Sequence, residues 1–336
     1  MAKAVKMSDI AERLNVSTVT VSKALSDQKG VSDEMRNKIK KLASELGYQK
    51  TVTRQEETSN SFNIGVIVPE DYIVKYQTFY WELYQEINTA AAKNNCFVML
   101  EIVSVADEKE EQPPKLLKEN KIDGLLVLGS LAKGYLQTIK EQYVIPTVYV
   151  DFYEPTIKED SVISNSFYGT YALTNYLFEK GHTNIGFVGT VLSNKSITDR
   201  YMGYMKSLLE HGKEVRADWV LADRDSDRHN YQEFLFPKEM PTAFVCNCDI
   251  IASWVIRELE KKGHRVPEDV SIVGFDDFLH PGLCPVPMTT YAVNMPKMAE
   301  TGVKLLLRKM TGGETSGGMH LIEGRLIERK SVKQIN

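Results

Sequence analysis

The chain has 336 residues, 43% hydrophobic and 26% charged, and a net charge of −4, enough for two or three domains with a sizeable core. The start has no apolar leader and no run approaches the roughly 18 uncharged residues of a membrane span, so the expected location is cytoplasmic and no membrane is expected as partner. Four scattered cysteines, Cys96, Cys246, Cys248 and Cys284, make no disulfide framework, and no second Cys or His pair stands at metal-ligand spacing.

Charge is unevenly placed. Residues 1–50 carry ten Lys or Arg against six Asp or Glu, a balance of +4, which leaves −8 on the rest. A positive head on an acidic body suits a module that contacts phosphates and releases their counterions.

Within that head, "MSDIAERLNVSTVTVSKAL" predicts two short helices. Ser8 can cap the first, with Ile10, Ala11 and Leu14 inward, and Ser17 the second, with Val21, Ala24 and Leu25 inward. Only Asn15 and Val16 separate the first helix from the second cap, which is helix-turn-helix spacing. A third helix follows Ser32, with Ile39, Leu42, Ala43 and Leu46 at helical intervals before Gly47.

Once the inward positions are assigned, Thr18, Val19, Ser22 and Lys23 remain outward near the start of the second helix. That end can enter a major groove, where Thr and Val touch thymine methyls and Lys donates to guanine or phosphate. Ser17, Thr20 and Ser22 carry hydroxyls suited to phosphate. A solvated face on a small interaction module would use the same residues.

From Tyr48 to Asn63 the chain is almost wholly polar and reads as a boundary. Beyond it, "IGVIVP", "CFVMLEIV", "IDGLLVLGS", "IPTVYVD", "NIGFVGT", "TAFVCNCD" and "VSIVGFDD" alternate with helical stretches, the rhythm of buried, mostly parallel strands in two successive α/β lobes. Ligands in such sheets bind outside the carboxyl ends of the strands. Asp151, Asp249 and Asp276 each end an apolar run, and Arg200 begins a helix after "FVGT", so these four are candidate ligand contacts. Phe79, Tyr80, Phe152, Trp219 and Phe278 could face the apolar side of a sugar or belong to core. No nucleophile, base and orienting residue form a readable motif, and neither G-x-G-x-x-G nor G-x-x-x-x-G-K-[ST] occurs, so neither enzyme activity nor a cofactor is expected.

Taken together, these residues resemble the LacI/GalR family of bacterial transcriptional regulators. The head segments "DIAERLNVSTVTVSKAL", "VSDEMRNKI" and "ELGY", and the body segments "DRYMGY", "VPEDVSIVGFDD" and "MTTYAVNMPKMAETGVKLLL", carry the resemblance over nearly the whole chain. It implies an α/β fold class with an N-terminal three-helix helix-turn-helix head followed by a two-lobed periplasmic-binding-protein-like core. The head would span 1–50, a hinge or linker 51–61, and the effector-binding and dimerisation core 62–336. The first lobe would take about 62–161 plus 291–320 and the second about 162–290 plus 321–336, with crossings near 161–163, 290 and 320.

The resemblance further implies a homodimer on double-stranded operator DNA, most often a repressor, whose lobes close on a small effector. Thr18 and Val19 would be the principal base-reading pair with Lys23 beside them, and Arg54 would belong to the linker's DNA contacts. Asp276 and Arg200 would contact the effector, with Asp151, Asp249, Phe79, Tyr80, Trp219 and Cys248 around it. The expected effector is carbohydrate, a sugar or sugar phosphate. A purine or a partner-protein corepressor is the alternative within the same class, and a non-regulatory sugar-binding protein the alternative outside it.

Three departures from the family pattern matter. Cys248 stands where asparagine is usual, and a thiol lacks an amide's paired donor and acceptor. Ser164 and Asn165 replace the usual Asp-Asn. In the linker, Gln55, Glu56 and Glu57 follow Arg54, and no leucine lies between Leu46 and the first body strand to wedge into a minor groove.

Overall fold

The computed structural model describes residues 7–25, 31–46, 48, 61–73, 79–225, 232–278, 282–313 and 317–335. The chain divides into two units, Met1–Ser59 and Asn60–Asn336. Arg54 and the linker positions 49–60 lie outside the described residues.

The first unit is three helices, α1 (Met7–Arg13), α2 (Thr18–Leu25) and α3 (Asp33–Glu45). Ile10, Val21, Ala24 and Ile39 are fully buried between them, with Ala11 and Ala43 beside them. Met7 is already helical, so Ser8 sits in the first turn of α1 rather than capping it. Asn15 adopts a left-handed φ of 51°, which turns the chain between α1 and α2 within a few residues. Ser32 caps α3 by accepting from the Met35 amide. From α3, Arg36 donates to the carbonyls of Lys23, Ala24 and Val31, holding the carboxyl end of α2.

The second unit begins with β1 (Asn63–Pro69), α4 (Phe79–Lys93), β2 (Phe97–Val103), α5 (Val105–Lys109), α6 (Lys115–Lys118), β3 (Gly124–Leu128), α7 (Lys133–Gln142), β4 (Thr147–Val150) and β5 (Asp160–Ser164). It continues through α8 (Ser166–Glu179), β6 (Ile185–Val188), α9 (Lys195–Glu210), β7 (Val220–Leu221), β8 (Ala243–Cys246), α10 (Asp249–Lys261), β9 (Ser271–Asp276) and β10 (Thr289–Ala292). Last come α11 (Met295–Met310), β11 (Met319–Ile322) and β12 (Arg325–Ile327).

Two six-stranded sheets result, ordered β11-β5-β4-β3-β1-β2 and β12-β10-β9-β8-β6-β7. Every pairing is parallel except β10 with β12. Strand residues alternate between two cores. Leu126, Leu128, Val148 and Val150 pack towards α4 and α11, while Leu125, Val127 and Tyr149 pack with Tyr135, Leu136 and Ile139 of α7. In the second sheet Phe244 and Ile272 join α10, whereas Val245, Val273 and Phe275 join α8 and α9. Burial on both faces is why these strands read as unbroken apolar runs. Gly203 lets α9 lie against α8, since a Cβ there would stand 2.1 Å from the Phe167 carbonyl oxygen.

Strand membership sets the crossings between lobes. β5 and β11 are completed in the first sheet and β10 in the second before the chain changes sides, so the crossings fall near 165, 293–294 and 323–324. They lie a few residues beyond the expected places, because each polar-flanked strand finishes its hydrogen-bonded ladder first. No helix of the described residues is long and apolar enough to cross a membrane.

Candidate nucleic-acid interface and ligand cleft

On the first unit, the start of α2 is an outward-facing platform. Ser17 Oγ accepts from the Thr20 amide at 3.1 Å, which fixes the first turn, and also shares a hydrogen bond with Thr20 Oγ1 at 2.9 Å. One of the two hydroxyl protons is used between them, leaving the pair one proton for an outside acceptor. Thr18 and Lys23 are exposed and Ser22 half-buried, while Val19 is 60% exposed. An apolar side chain that the helix leaves in water on a polar face is a candidate contact for another apolar group, such as a thymine methyl.

In the second unit the candidate ligand residues gather where strands end. Asp151 follows β4 and Asp276 ends β9; both have left-handed φ, 66° and 106°, and Asp277 follows at 55°. Such backbone conformations are costly for side-chain-bearing residues and are held by their surroundings. Tyr80, in the first turn of α4, donates to Asp151 Oδ2 at 2.8 Å. Its ring stacks on Tyr72 with centroids 4.5 Å apart, and Phe79 meets it edge-on at 5.3 Å.

From the opposite lobe, α9 delivers Arg200. Its guanidinium lies over the Phe275 ring at 3.9 Å, donates to the Asn247 carbonyl, and reaches Asp276 Oδ1 at 3.3 Å. Its Nε is buried and, among the described residues, has no hydrogen-bond acceptor. A buried donor left unmatched by the protein is what a ligand's oxygen would satisfy.

Burial pushes Asp276 up to about 7, with Arg200 opposing and Asp151 adding to the rise. Burial also pushes Asp151 up to about 6, against the pull of Arg200 and the Tyr80 hydrogen bond. Two carboxyls from opposite lobes therefore lie within electrostatic reach of each other and of one guanidinium. Cys248, before α10, is raised to about 12 by burial and then by Asp276, so its thiol stays protonated beside this cluster.

Outside the cluster a second set of contacts joins the lobes. Lys195, in the first turn of α9, donates to the Tyr153 carbonyl and to Glu154 Oε2 at 2.8 Å, and the Tyr153 hydroxyl lies 3.5 Å from Asp199 Oδ1. Tyr153 and Glu154 lie two and three residues after Asp151, and Lys195 and Asp199 precede Arg200 on the same helix. The clasp thus ties the two segments that carry these ligand candidates.

Two sequence candidates play other parts. Trp219 lies at the amino end of β7, opposite to the strand ends that carry the acids; its indole N–H is donated to the Glu239 carbonyl and Arg216 covers its ring at 4.2 Å. Asp249 is 2% exposed, and both its carboxylate oxygens are engaged, one by the Thr290 hydroxyl at 2.7 Å and the other by the Phe278 amide at 3.1 Å. It is a scaffold for the loop after Asp276 rather than an open ligand contact.

Sequence reasoning passed over Asp223, Arg224 and Asn247. Asp223 is fully buried and accepts from the Thr190 amide at 2.7 Å, the Asn247 side-chain amide at 2.9 Å and Arg224 Nε at 3.2 Å. Since Asn247 also receives Arg200 on its carbonyl, one hub orients the ends of β6, β7 and β8 together. The available signal was "LADR" after a short apolar run, parallel to "VCNCD" after β8, but two charges in a polar stretch read as an ordinary loop.

The profile described as "Bacterial regulatory proteins, lacI family" matches residues 6–50, and that described as "Periplasmic binding protein-like domain" matches residues 174–332. The HTH-type transcriptional repressor CytR of Escherichia coli (strain K12) is 28% identical over 336 residues, covering 99% of this chain and 97% of its own. Among solved structures, the lac repressor dimer bound to operator and the anti-inducer ONPF superposes with a TM-score of 0.73 at 23% identity, over 98% of this chain and 100% of that one. A CelR–cellobiose complex gives 0.69 at 22%, over 97% and 99%. At these identities the structural likeness is one of fold.

Proposed function

Because the chain belongs to the LacI/GalR family of bacterial transcriptional regulators, we propose that it is a repressor whose affinity for operator DNA is set by a carbohydrate bound between its core lobes. The family membership makes it a DNA-binding regulator with an effector-binding core and not an enzyme. The observation that carries the ligand reading is the convergence of Asp151 and Asp276 from opposite lobes on Arg200, beside the Tyr72–Tyr80 stack. Opposed carboxylates accept from sugar hydroxyls, a guanidinium donates to ring or hydroxyl oxygens, and an aromatic face covers the C–H side of a sugar ring. The similar structure solved with cellobiose, and a relative carrying the name repressor, support the same reading.

Thr18, Val19 and Lys23 are the proposed base-reading residues, with Ser17, Thr20 and Ser22 on phosphates. The working form is a homodimer on a pseudo-palindromic site, supported by the fold shared with a dimer bound to operator. Arg54 contacts DNA from a linker that does not wedge a side chain into the minor groove, given Glu56, Glu57 and the lack of leucine there.

Selection of bound sequences from random duplexes by the full-length protein, followed by anisotropy titration with a carbohydrate panel, tests the whole reading. A two-fold-symmetric site whose affinity shifts with one carbohydrate is expected. Response to a purine base with none to any carbohydrate would replace the ligand class. A DNA complex with a linker side chain inserted at the central base step would remove the hinge reading.

A further inference from the structure

The clasp beside the ligand cleft is built around one cation. Lys195 is the first residue of α9, where the amide dipoles of the helix disfavour positive charge, and no acid in the first turn offsets it. Asp199 stands one turn along the same helix, yet Lys195 takes its acceptors from the other lobe. Its ammonium donates to the Tyr153 carbonyl at 2.5 Å and to Glu154 Oε2 at 2.8 Å, and lies 5.3 Å from the centroid of the Tyr153 ring.

The receiving side is fixed within the first lobe. Glu154 Oε1 accepts from the Thr156 amide at 3.1 Å and from the Thr156 hydroxyl at 2.8 Å, which leaves Oε2 to Lys195. Against burial, Lys195 and Thr156 hold the Glu154 carboxyl down at about 2, so it carries its charge. Tyr153 is held at both ends, its ring under Lys195 and its hydroxyl 3.5 Å from Asp199 Oδ1. The Glu154 side chain is 13% exposed and that of Lys195 36%, so the pair is partly sheltered from salt and still weak enough to break.

The lobes touch at a second place, where Phe278, just after β9, packs against the first lobe's α4–α11 core. A contact that exists in only one of two hinge states shifts the balance towards that state, and every clasp bond spans the lobes. These bonds are made by the chain's own groups, so their bias adds to whatever a ligand supplies.

We propose that Lys195 and Glu154 form a latch that weights the two lobes towards the closed arrangement independently of ligand, so that an effector acts on an equilibrium this chain has already biased.

The test is a dipolar distance measurement between spin labels on non-natural residues at Lys158 and Leu192, exposed positions on either side of the clasp. Full-length labelled protein is diluted into unlabelled chain without added sugar, which makes the outcome independent of the ligand class. The unaltered protein should show mainly the short distance. Lys195→Met should raise the long-distance population about fivefold, and Glu154→Gln should do the same. Because both act through one contact, the double variant should open no further than either single one. The ligand-free affinity for the selected duplex should shift alike in all three. Cooperative melting checks the fold, and Glu154→Gln, which keeps an acceptor for Thr156, carries the test if Lys195→Met does not fold. Unchanged distances overturn the latch, additive opening in the double variant overturns the pairing, and longer distances with unchanged duplex affinity overturn its regulatory role.

Discussion

The head and the cleft present their candidate functional side chains in opposite ways. On α2, Thr18, Val19 and Lys23 stand outward on one short helix, each positioned by helical geometry and a single cap. In the core, Arg200, Asp276, Asp151 and Tyr80 come from four separate segments and point inward, each held by other side chains or by strained backbone. A reading surface made this way tolerates substitution of its contacts without loss of fold. A cleft made this way does not separate cleanly from the scaffold that carries it.

The largest test of that contrast is Asp249→Ala, which strands the Thr290 hydroxyl and the Phe278 amide inside the second lobe. About 3 kcal/mol of core stability should be lost in chemical denaturation. Survival of full stability would mean that the scaffold is less tightly coupled to the cleft than its hydrogen bonds indicate.

Next comes pH. Asp151 and Asp276 have native values raised to about 6 and about 7 from 3.8, and Asp249 is raised as well, all by burial first. The native chain then holds protons that the unfolded chain has released, so this contribution is full below about pH 4 and is lost as pH rises through about 7. The ligand-free core should melt about 5 °C higher at pH 5.5 than at pH 8, and Asp276→Asn should flatten the dependence.

Arg200→Ala should weaken ligand binding about thirtyfold in calorimetry while leaving ligand-free operator binding nearly intact. Equal loss of both in a folded variant would reject the separation of cleft from reader. The smallest effect belongs to Val19→Ala: about tenfold weaker operator binding in anisotropy, with unfolding unchanged within about 0.5 kcal/mol because the side chain is mostly in water.

The same contrast explains what could be read from sequence. Ser17, Val21 and Ala24 follow one another at helical intervals, so the outward set could be found by subtraction. The β strands showed as apolar runs because both faces of each sheet are covered. Arg200 and Asp276 stood out only as a charge opening a helix and an acid ending a strand, and their meeting depends on chain 76 residues apart. Trp219 had the right chemistry but lies before its strand, and a strand as short as Val220–Leu221 leaves no apolar run from which its start could be read. Asp249 ends an apolar run like the other acids, but whether its carboxylate is engaged by the protein depends on Thr290 and Phe278, far along the chain.

The interlaced crossings have a consequence for the order of synthesis. All three helices of the head have been made once residue 45 is added, so a growing chain can complete its reader early. Neither sheet of the sensor can close until β11 and β12 at 319–327 have been added, one strand to each. Throughout most of its translation the nascent protein thus carries a DNA-reading surface with no finished lobes to govern it, and the sensing half becomes available almost all at once.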